Sequence, residues 1–388
     1  MIKIAYLDPY AVPDTRVASL QILQNADAFA RQAAHVSLVT PESPISADDL
    51  LGRALHPGVT LHGLKSVRKK WYFPFNSQKF FFRQAHAWLK KNPVDAVFTR
   101  NLKLADFLLR HIPDTPLFFE THELFAQSFS ESHDLRRSQN RRKRLILQKR
   151  EQFIYRHATG IFALTSLLAD DIASTYGTSR PIVIAADGVD LLAADKAYKQ
   201  SPWQLHTPAK ILYLGSLHPW KGVPTVIEAM QYVKPASLVI AGGDEKQITA
   251  LLNFAAQLGV SDRVEFLGYV PPKSRFELID KCDICVLPLT KTSIGSRYTS
   301  PLKLFEYMAM KKPVVISDLP SIRDVVDEHC VYFAQSESAE SFSQGLLAVL
   351  RNPQQAALIA ENARQKSLVY TWDNRAKIIL DVIAARLR

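Results

Sequence analysis

Short apolar runs alternate with longer amphipathic segments through both halves of the chain, and this alternation is its main structural signal. In the first half "KIAYL" (3–7) precedes a polar loop and a helical pattern from about 18 to 32, and "HVSLVT", "VDAVFTR", "PLFFETH" and "TGIFALT" come after it. Helix-length segments such as 101–111 and 141–157 lie between them. That order predicts a doubly wound parallel sheet. Near "PIVIAADGVDL" the pattern stops, residues 191–209 turn polar and hold Pro202 and Pro208, and "KILYLGSL" restarts it. "SLVIAGG", "RVEFLGYV", "ICVLPL" and "PVVIS" follow, with helices expected over 223–232, 245–258, 272–280 and 300–310. The expected organisation is a Rossmann-like α/β domain over 1–190, a linker over 191–209, a second Rossmann-like domain over 210–365 and a closing helix over 366–388. The last has apolar residues at helical spacing and the length to brace both domains. Ligands of open α/β sheets bind beyond the carboxyl ends of the strands, so the strand-end loops should converge on a crevice. Two such domains facing each other would make it a cleft.

Composition narrows the class. With 388 residues, 47% hydrophobic and 22% charged, the chain has material for two cores. "MIKIAYLDPY" meets a charge too soon for a signal peptide, and no run approaches the 18 or so apolar residues that span a bilayer, so a cytoplasmic protein is expected. Cys282 and Cys285 form a C-x-x-C within "KCDICVLPL", a strand-like run with no second pair for zinc; they read as buried thiols, and no metal is expected. The net charge of +11 is uneven: residues 1–200 carry +8 and the remainder +3. Two stretches hold the excess, 66–91 and 135–158, each interleaving cations with aromatic or aliphatic residues. Such a pattern suits nucleic acid, an anionic membrane surface or a solvated helix face.

Several strand-end loops carry candidate chemistry. "YLGSLHPWKG" places Gly215 at a strand end and Lys221 just before a helix, a geometry that would bind phosphate or simply solvate a lysine. It is not a Walker loop. "LVIAGGD" turns on Gly242 and Gly243 without the third glycine of a dinucleotide site. "TSPLKLFEYMAMKKPVV" offers Thr299 and Ser300 as N-caps, Pro301 as the first helical residue and a helix to about Met310. Leu302, Lys303 and Glu306 share a face of it, so that Glu306 would accept hydrogen bonds from a ribose diol while Lys303 and the amides of 299–302 receive diphosphate; the alternative is a Lys303–Glu306 surface pair. In the first half "FFETHELF" puts His122 and Glu123 at a strand exit, and Arg16 and Arg100 are further strand-end cations.

Taken in order, "YLGSLHPWKG", "LVIAGGD", "VEFLGYVP", "CDICVLPL" and "SPLKLFEYMAMKKPVVISDLPSIRDVV" resemble the C-terminal domain of the family 4 glycosyltransferases, the large retaining group with a GT-B fold. "LTSLLADDIASTYG" to "AADGVDL" is similar to the end of that family's first domain. The resemblance implies transfer of a hexose-type sugar from a UDP- or GDP-linked donor, without a cofactor or an obligatory metal, to a glycan or lipid-linked acceptor. By position Lys221 would bind the diphosphate, Glu306 the ribose, and the backbone around Gly268 and Tyr269, with Gly243 nearby, would pack near the base. His122 would lie beside the transferred sugar; Arg16, Arg100 and Glu123 would form the acceptor side. Retention would follow a front-face course in which the leaving diphosphate takes the acceptor proton. The chain departs from the family pattern at Ser216, often arginine, and at Tyr298, where a paired-glutamate motif would have its first member; Arg297 would replace the missing cation. "DPYAVPDTRVAS" stands in place of a glycine-rich first loop. Peripheral contact with an anionic membrane is expected through the basic stretches, with Trp71, Phe73 and Phe75 entering the interface. A UDP-sugar 2-epimerase and a GT-B pseudoenzyme that binds a glycan or partner are the competing readings. Nucleic acid is not an expected partner, since charge alone supports it.

Overall fold

The computed structural model describes residues 1–65, 78–178, 180–199 and 203–387. The expected interfacial residues Trp71, Phe73 and Phe75 lie outside the described residues, as does Pro202. The chain forms two compact units, Met1–Ala186 with Trp372–Arg388, and Asp187–Thr371.

The first unit is built on seven parallel strands: β1 (Lys3–Leu7), β2 (His35–Pro41), β3 (Val59–Leu64), β4 (Ala96–Thr99), β5 (Leu117–Thr121), β6 (Gly160–Ala163) and β7 (Ile182–Ile184). Their order is β3-β2-β1-β4-β5-β6-β7, and β1 sits where the order reverses, with Ala5 opposite Ser37 on one side and Val97 on the other. Central strands are mainly apolar because helices cover both faces; β4 and β5 are entirely buried, with the polar residues Thr99, Glu120 and Thr121 at their carboxyl ends. The edge strand β3 is mostly exposed past Val59, which is why no apolar run marks it in the sequence. Helix starts follow local capping chemistry: Asn101 Oδ1 accepts from the Leu104 amide at 3.0 Å, and Thr165 Oγ1 from Leu168 at 3.1 Å.

The second unit has six parallel strands: β8 (Ala209–Leu214), β9 (Ala236–Ala241), β10 (Val264–Gly268), β11 (Ile284–Leu287), β12 (Val314–Ser317) and β13 (Tyr332–Ala334), in the order β10-β9-β8-β11-β12-β13. Alternate residues feed two apolar layers. Ile211, Tyr213, Ile240 and Val286 pack on one side with Phe342 and Leu346; Leu212, Leu214, Cys285 and Ile316 pack on the other with Phe305 and Met308. Cys282 and Cys285 are buried, unpaired thiols, and burial pushes the Cys282 thiol up to about 11.

Two segments differ from the sequence expectation. Residues 191–209, expected as a linker, belong to the second unit: the helix Leu191–Ala197 packs on its core with Ala194 fully buried, and Trp203 donates its indole N–H to the Asp283 carbonyl at 3.1 Å. Leu191, Ala194 and Ala197 recur at helical spacing in that short helix, a pattern masked by Asp195 and Lys196. The closing segment is not one helix from 366. One helix, Pro353–Ser367, remains in the second unit, and another, Trp372–Leu387, returns to the first and packs against Val17–Arg31, where Arg31 Nε meets Asp373 Oδ1 at 2.7 Å.

Candidate functional site

At the carboxyl ends of β8, β9 and β10 the loops are stitched by backbone hydrogen bonds. The Gly215 amide donates to Ala241 O at 2.9 Å, and the Gly242 amide to Gly268 O at 2.6 Å. Gly242, at φ +125°, has the Gly215 carbonyl 1.9 Å from where a Cβ would sit, so only glycine fits. Gly243 likewise meets Leu217 at 2.2 Å. The Ser216 carbonyl accepts the Tyr213 hydroxyl at 2.6 Å, and Tyr269 is exposed beyond β10.

Lys221 ends a short 3-10 turn, Pro219–Lys221, after β8. Gly222 follows at φ +65°, pressed against the Pro288 carbonyl, and Thr290 donates both its amide and its hydroxyl to Trp220 O, which fixes the turn beside the exit of β11. The Lys221 ammonium lies 3.9 Å over the Trp220 ring. Among the described residues no carboxylate pairs with it. Burial and then repulsion from Lys303 lower its pKa to about 8.

Lys303 and Glu306 stand on the helix Leu302–Ala309. The Lys303–Glu306 pair forms, but on a buried carboxylate that a second cation also holds: Glu306 Oε2 meets the partly buried Lys303 Nζ at 2.6 Å, and Oε1 meets Arg275 Nε at 2.9 Å, with Arg275 and Glu306 both under 5% exposed. Arg275 also donates to Pro272 O at 2.7 Å. The cluster of Lys221, Lys303 and Arg275 thus holds three cations against one carboxylate. The start of the helix differs from the expectation, because Pro301 and not Thr299 or Ser300 holds the N-cap position, with no side-chain cap. The Thr299 hydroxyl goes to Ile294 O and Ser300 Oγ accepts the Asp187 amide at 2.8 Å, while the Leu302 amide is taken by Ser300 O. A π-helical turn, Ile294–Tyr298, leads in; it buries the Tyr298 ring completely and leaves Arg297 half-buried.

In the first unit the strand ends hold a second cluster. Glu120, buried on β5, accepts from His122 Nε2 at 2.5 Å and pairs with Arg375 from the C-terminal helix. His122 Nδ1 meets Arg100 Nη2 at 2.9 Å, and Arg100 Nη1 donates to Gln21 Oε1 at 3.1 Å. Guanidinium only donates, so Nδ1 accepts and the imidazole proton rests on Nε2. Burial opposes ionisation of Glu120, but the Arg375 charge and the His122 hydrogen bond hold its pKa at about 2. Burial and the Arg100 charge lower His122 to about 4, so it is neutral at neutral pH. Arg16 is engaged elsewhere, with Asp14 at 2.7 Å and Ala11 O at 3.0 Å. Buried Asp8 lies within reach of both the Arg100 and Arg16 charges, and burial raises its pKa to about 6. The Glu123 carbonyl accepts the Thr121 hydroxyl at 2.8 Å; burial raises the pKa of its carboxyl.

The structure therefore brings Lys221, Lys303 and Glu306 together in one unit and His122 with Arg100 in the other, and leaves Arg16 outside the His122 network. Sequence reading missed Arg275, Glu120 and Arg375. Glu120 left a signal, an acid inside the apolar run of β5. Arg375 sits on the buried stripe with Trp372, Ala376 and Ile379, but neither arginine's partner is within helical reach in the sequence.

A family model described as "Glycosyl transferases group 1" matches residues 195–366, and one described as "Glycosyltransferase Family 4" matches 18–191. The chain belongs to the group 1 glycosyltransferases. It is 31% identical over 179 residues to an uncharacterized glycosyltransferase of Methanocaldococcus jannaschii, covering 44% of each chain. It is 23% identical over 251 residues to the D-inositol 3-phosphate glycosyltransferase of Corynebacterium urealyticum, covering 60% of this chain and 58% of that one. The glycosyltransferase chain spans about half the length of the curated relatives it matches. Among solved structures, a sucrose-phosphate synthase from Thermosynechococcus elongatus aligns with a TM-score of 0.77 at 17% identity, covering 99% of this chain and 100% of that one. The Anabaena protein HepE, in complex with UDP and glucose, aligns with a TM-score of 0.73 at 18% identity over the same shares. The likeness is one of fold, and the fold is GT-B.

Proposed function

We propose that this glycosyltransferase moves a hexose-type sugar, with retention, from a UDP- or GDP-linked donor to a lipid-linked or polysaccharide acceptor at the cytoplasmic face of a membrane. The observation that carries the reading is Lys221. Its ammonium has no carboxylate partner among the described residues, and Lys303 and Arg275 crowd the same strand ends. A diphosphate would offset that positive field and gain charge-assisted hydrogen bonds from it. As the sugar–phosphate bond breaks, negative charge grows on the leaving oxygen. Fixed cations therefore stabilise the transition state more than the ground state. In this reading the transfer is metal-independent, with the cations of the cluster balancing the charge of the diphosphate. For Glu306 to take a ribose diol, Lys303 must move from Oε2 to the phosphate, an exchange that the helix face they share allows. UDP in the HepE complex supports a nucleotide-diphosphate donor and makes UDP the first base to screen.

Membrane contact is supported by the helix Ser138–His157. Residues 136–150 hold eight Lys and Arg and no acid. Among the described residues no helix is long and apolar enough to cross a membrane.

The test is a thermal-shift screen of the full chain against UDP, GDP, ADP, CMP, dTDP and their sugar conjugates, repeated on Glu306→Ala and Lys221→Ala. A selective shift that both variants lose is expected. A base bound equally by wild type and both variants would place the donor elsewhere. The fully paired Glu306 and buried Tyr298 favour a second reading, a pseudoenzyme that binds nucleotide sugar; binding with no hydrolysis or transfer of the selected donor would establish it.

A further inference from the structure

We infer that Glu120 and Arg375 are positioning residues, which hold His122 as its neutral Nε2–H tautomer and, through Nδ1, orient the Arg100 guanidinium at the strand ends. The inference rests on the proposed transferase reading for its kinetic arm only. Its geometry is a chain of contacts: Arg375 to Glu120 Oε2, Glu120 Oε1 to His122 Nε2 at 2.5 Å, His122 Nδ1 to Arg100 at 2.9 Å, and Arg100 to Gln21 at 3.1 Å. Both ring nitrogens are thus used inside the protein. An imidazole so held cannot take a proton from an acceptor hydroxyl without breaking its bond to Arg100. Arg375 is itself fixed, donating to the carbonyls of Ala185 and Ala186, and it is buried along with Glu120. The charged and titratable groups facing the ring or its partners are Glu120 from β5, Arg100 from the β4 exit, Arg375 from the C-terminal helix, and Tyr6 and Asp8 from β1 and its exit. Conversion of His122 to imidazolium would place an N–H against the Arg100 N–H and release that guanidinium. The Arg375 charge works against this by repelling the imidazolium, while the Glu120 carboxylate that Arg375 keeps ionised pulls the other way and holds the Nε2 proton in place. A residue 255 positions away from Glu120 in sequence thereby fixes the carboxylate that holds the His122 tautomer, and adds to burial and Arg100 in keeping the ring neutral.

Two-bond proton–nitrogen NMR of the His122 ring in the full chain reports tautomer and titration midpoint without any substrate. Wild type should show the Nε2–H form down to about pH 5. Arg375→Gln keeps donors for the two carbonyls but removes the charge; its midpoint should rise, while burial and Arg100 still hold it below the ordinary value of about 6.5, and Arg375→Lys should restore it. An unchanged midpoint in Arg375→Gln, or equal shifts in the Gln and Lys variants, would overturn the inference. Should Arg375→Gln fail to fold, Glu120→Gln decides. Turnover of the donor selected by the nucleotide screen should fall about tenfold with its KM unchanged, since the loss is one of orientation. Undiminished turnover would overturn the inference. A screen that selects no donor counts against the transferase reading alone, and there the ring of Glu120→Gln is read instead: a ring still wholly Nε2–H and still bonded to Arg100 overturns the inference, and a mixed tautomer supports it.

Discussion

Single residues in this protein carry charges whose protonation is set by burial, and the sign of each effect is testable. Unfolded Lys221 keeps an ordinary lysine value near 10.5, while the folded value is about 8. Between those values the unfolded chain binds more protons, so this residue's contribution makes folding stability rise with pH across that window. Nucleotide diphosphate binding should run the other way. Phosphate oxygens favour the ammonium, so affinity should be greatest below pH 8 and fall as pH climbs above it, with proton uptake on binding. Titration calorimetry of the selected nucleotide in buffers of different ionisation enthalpy measures that uptake at pH 8; its persistence in Lys221→Met would assign it to another group. Glu151 gives the opposite slope in stability. It is fully buried and accepts from the Phe125 and Ala126 amides and the Tyr176 hydroxyl, yet burial dominates and raises its pKa to about 7. The folded state then holds the proton more tightly than the unfolded state. Its stabilisation is full below the ordinary glutamate range and lost as pH rises through 7. Glu151→Gln should flatten the dependence of the urea midpoint between pH 5 and 8; an equally steep profile in the variant would show that other groups cause it. Gly222 is a steric case. A Cβ there would lie 1.8 Å from the Pro288 carbonyl oxygen at φ +65°, so Gly222→Ala should cost more than the about 1–2 kcal/mol of the left-handed backbone alone.

At the level of elements, legibility in the sequence followed burial. β1, β5, β8 and β12 are largely buried, and each shows as a mainly apolar run whose ends match the structure to within a residue or two, with Glu120 in β5 and Lys210 in β8 among the charged exceptions. The edge strand β3 is mostly exposed and leaves no comparable run, whereas the edge strands β7 and β13 are only three residues long, within the short apolar runs 181–186 and 330–334. The Glu306 helix was legible because its face is set by i, i+3 spacing, whereas Arg275 was not, since its partner lies 31 residues on and only the packed fold brings them together. The basic helix Ser138–His157 shows the same division. Its inward residues Glu151, Ile154 and Tyr155 are buried, while Arg142, Leu145, Ile146, Lys149 and Arg156 fall on one exposed face, with Leu145 48% and Ile146 42% exposed. Cations flanking two uncovered aliphatic side chains match an anionic lipid surface. Cosedimentation with phosphatidylglycerol vesicles should exceed that with phosphatidylcholine vesicles, and Arg142→Glu with Lys149→Glu should reduce it more than tenfold at about 1 kcal/mol for each cation lost, before the added repulsion. Equal partitioning of wild type into both vesicle types would end the proposal for this face.

Across the whole molecule, the chain builds its first unit, then its second, and then returns to the first with its last helix. Pattern alone located both sheets, since each restarts the same alternation. It did not locate the boundary, because the polar stretch 191–209 folds into the second unit and the closing segment divides at 368–371. The final helix is an integral part of the first unit's packing. Trp372, Ala376, Ile379, Leu380 and Ile383 are buried on it, and each of the four large side chains is worth roughly 1.5–3 kcal/mol of burial. Arg375 adds the counter-charge for Glu120, and a buried carboxylate left alone costs several kcal/mol more. Set against a total stability on the order of 5–15 kcal/mol, these losses are enough to unfold the first unit. The core residues of the second unit all lie within 187–371 and lose nothing directly. Truncation after Thr371 should therefore abolish amide-exchange protection in β1, β4 and β5 while β8, β9 and β11 stay protected, and nucleotide binding through Lys221 should survive in part. Hydrogen exchange read by mass spectrometry resolves these strands separately. Retained protection in β1 would mean that the first unit stands without its last helix, and loss in both sheets would mean that the two units unfold as one.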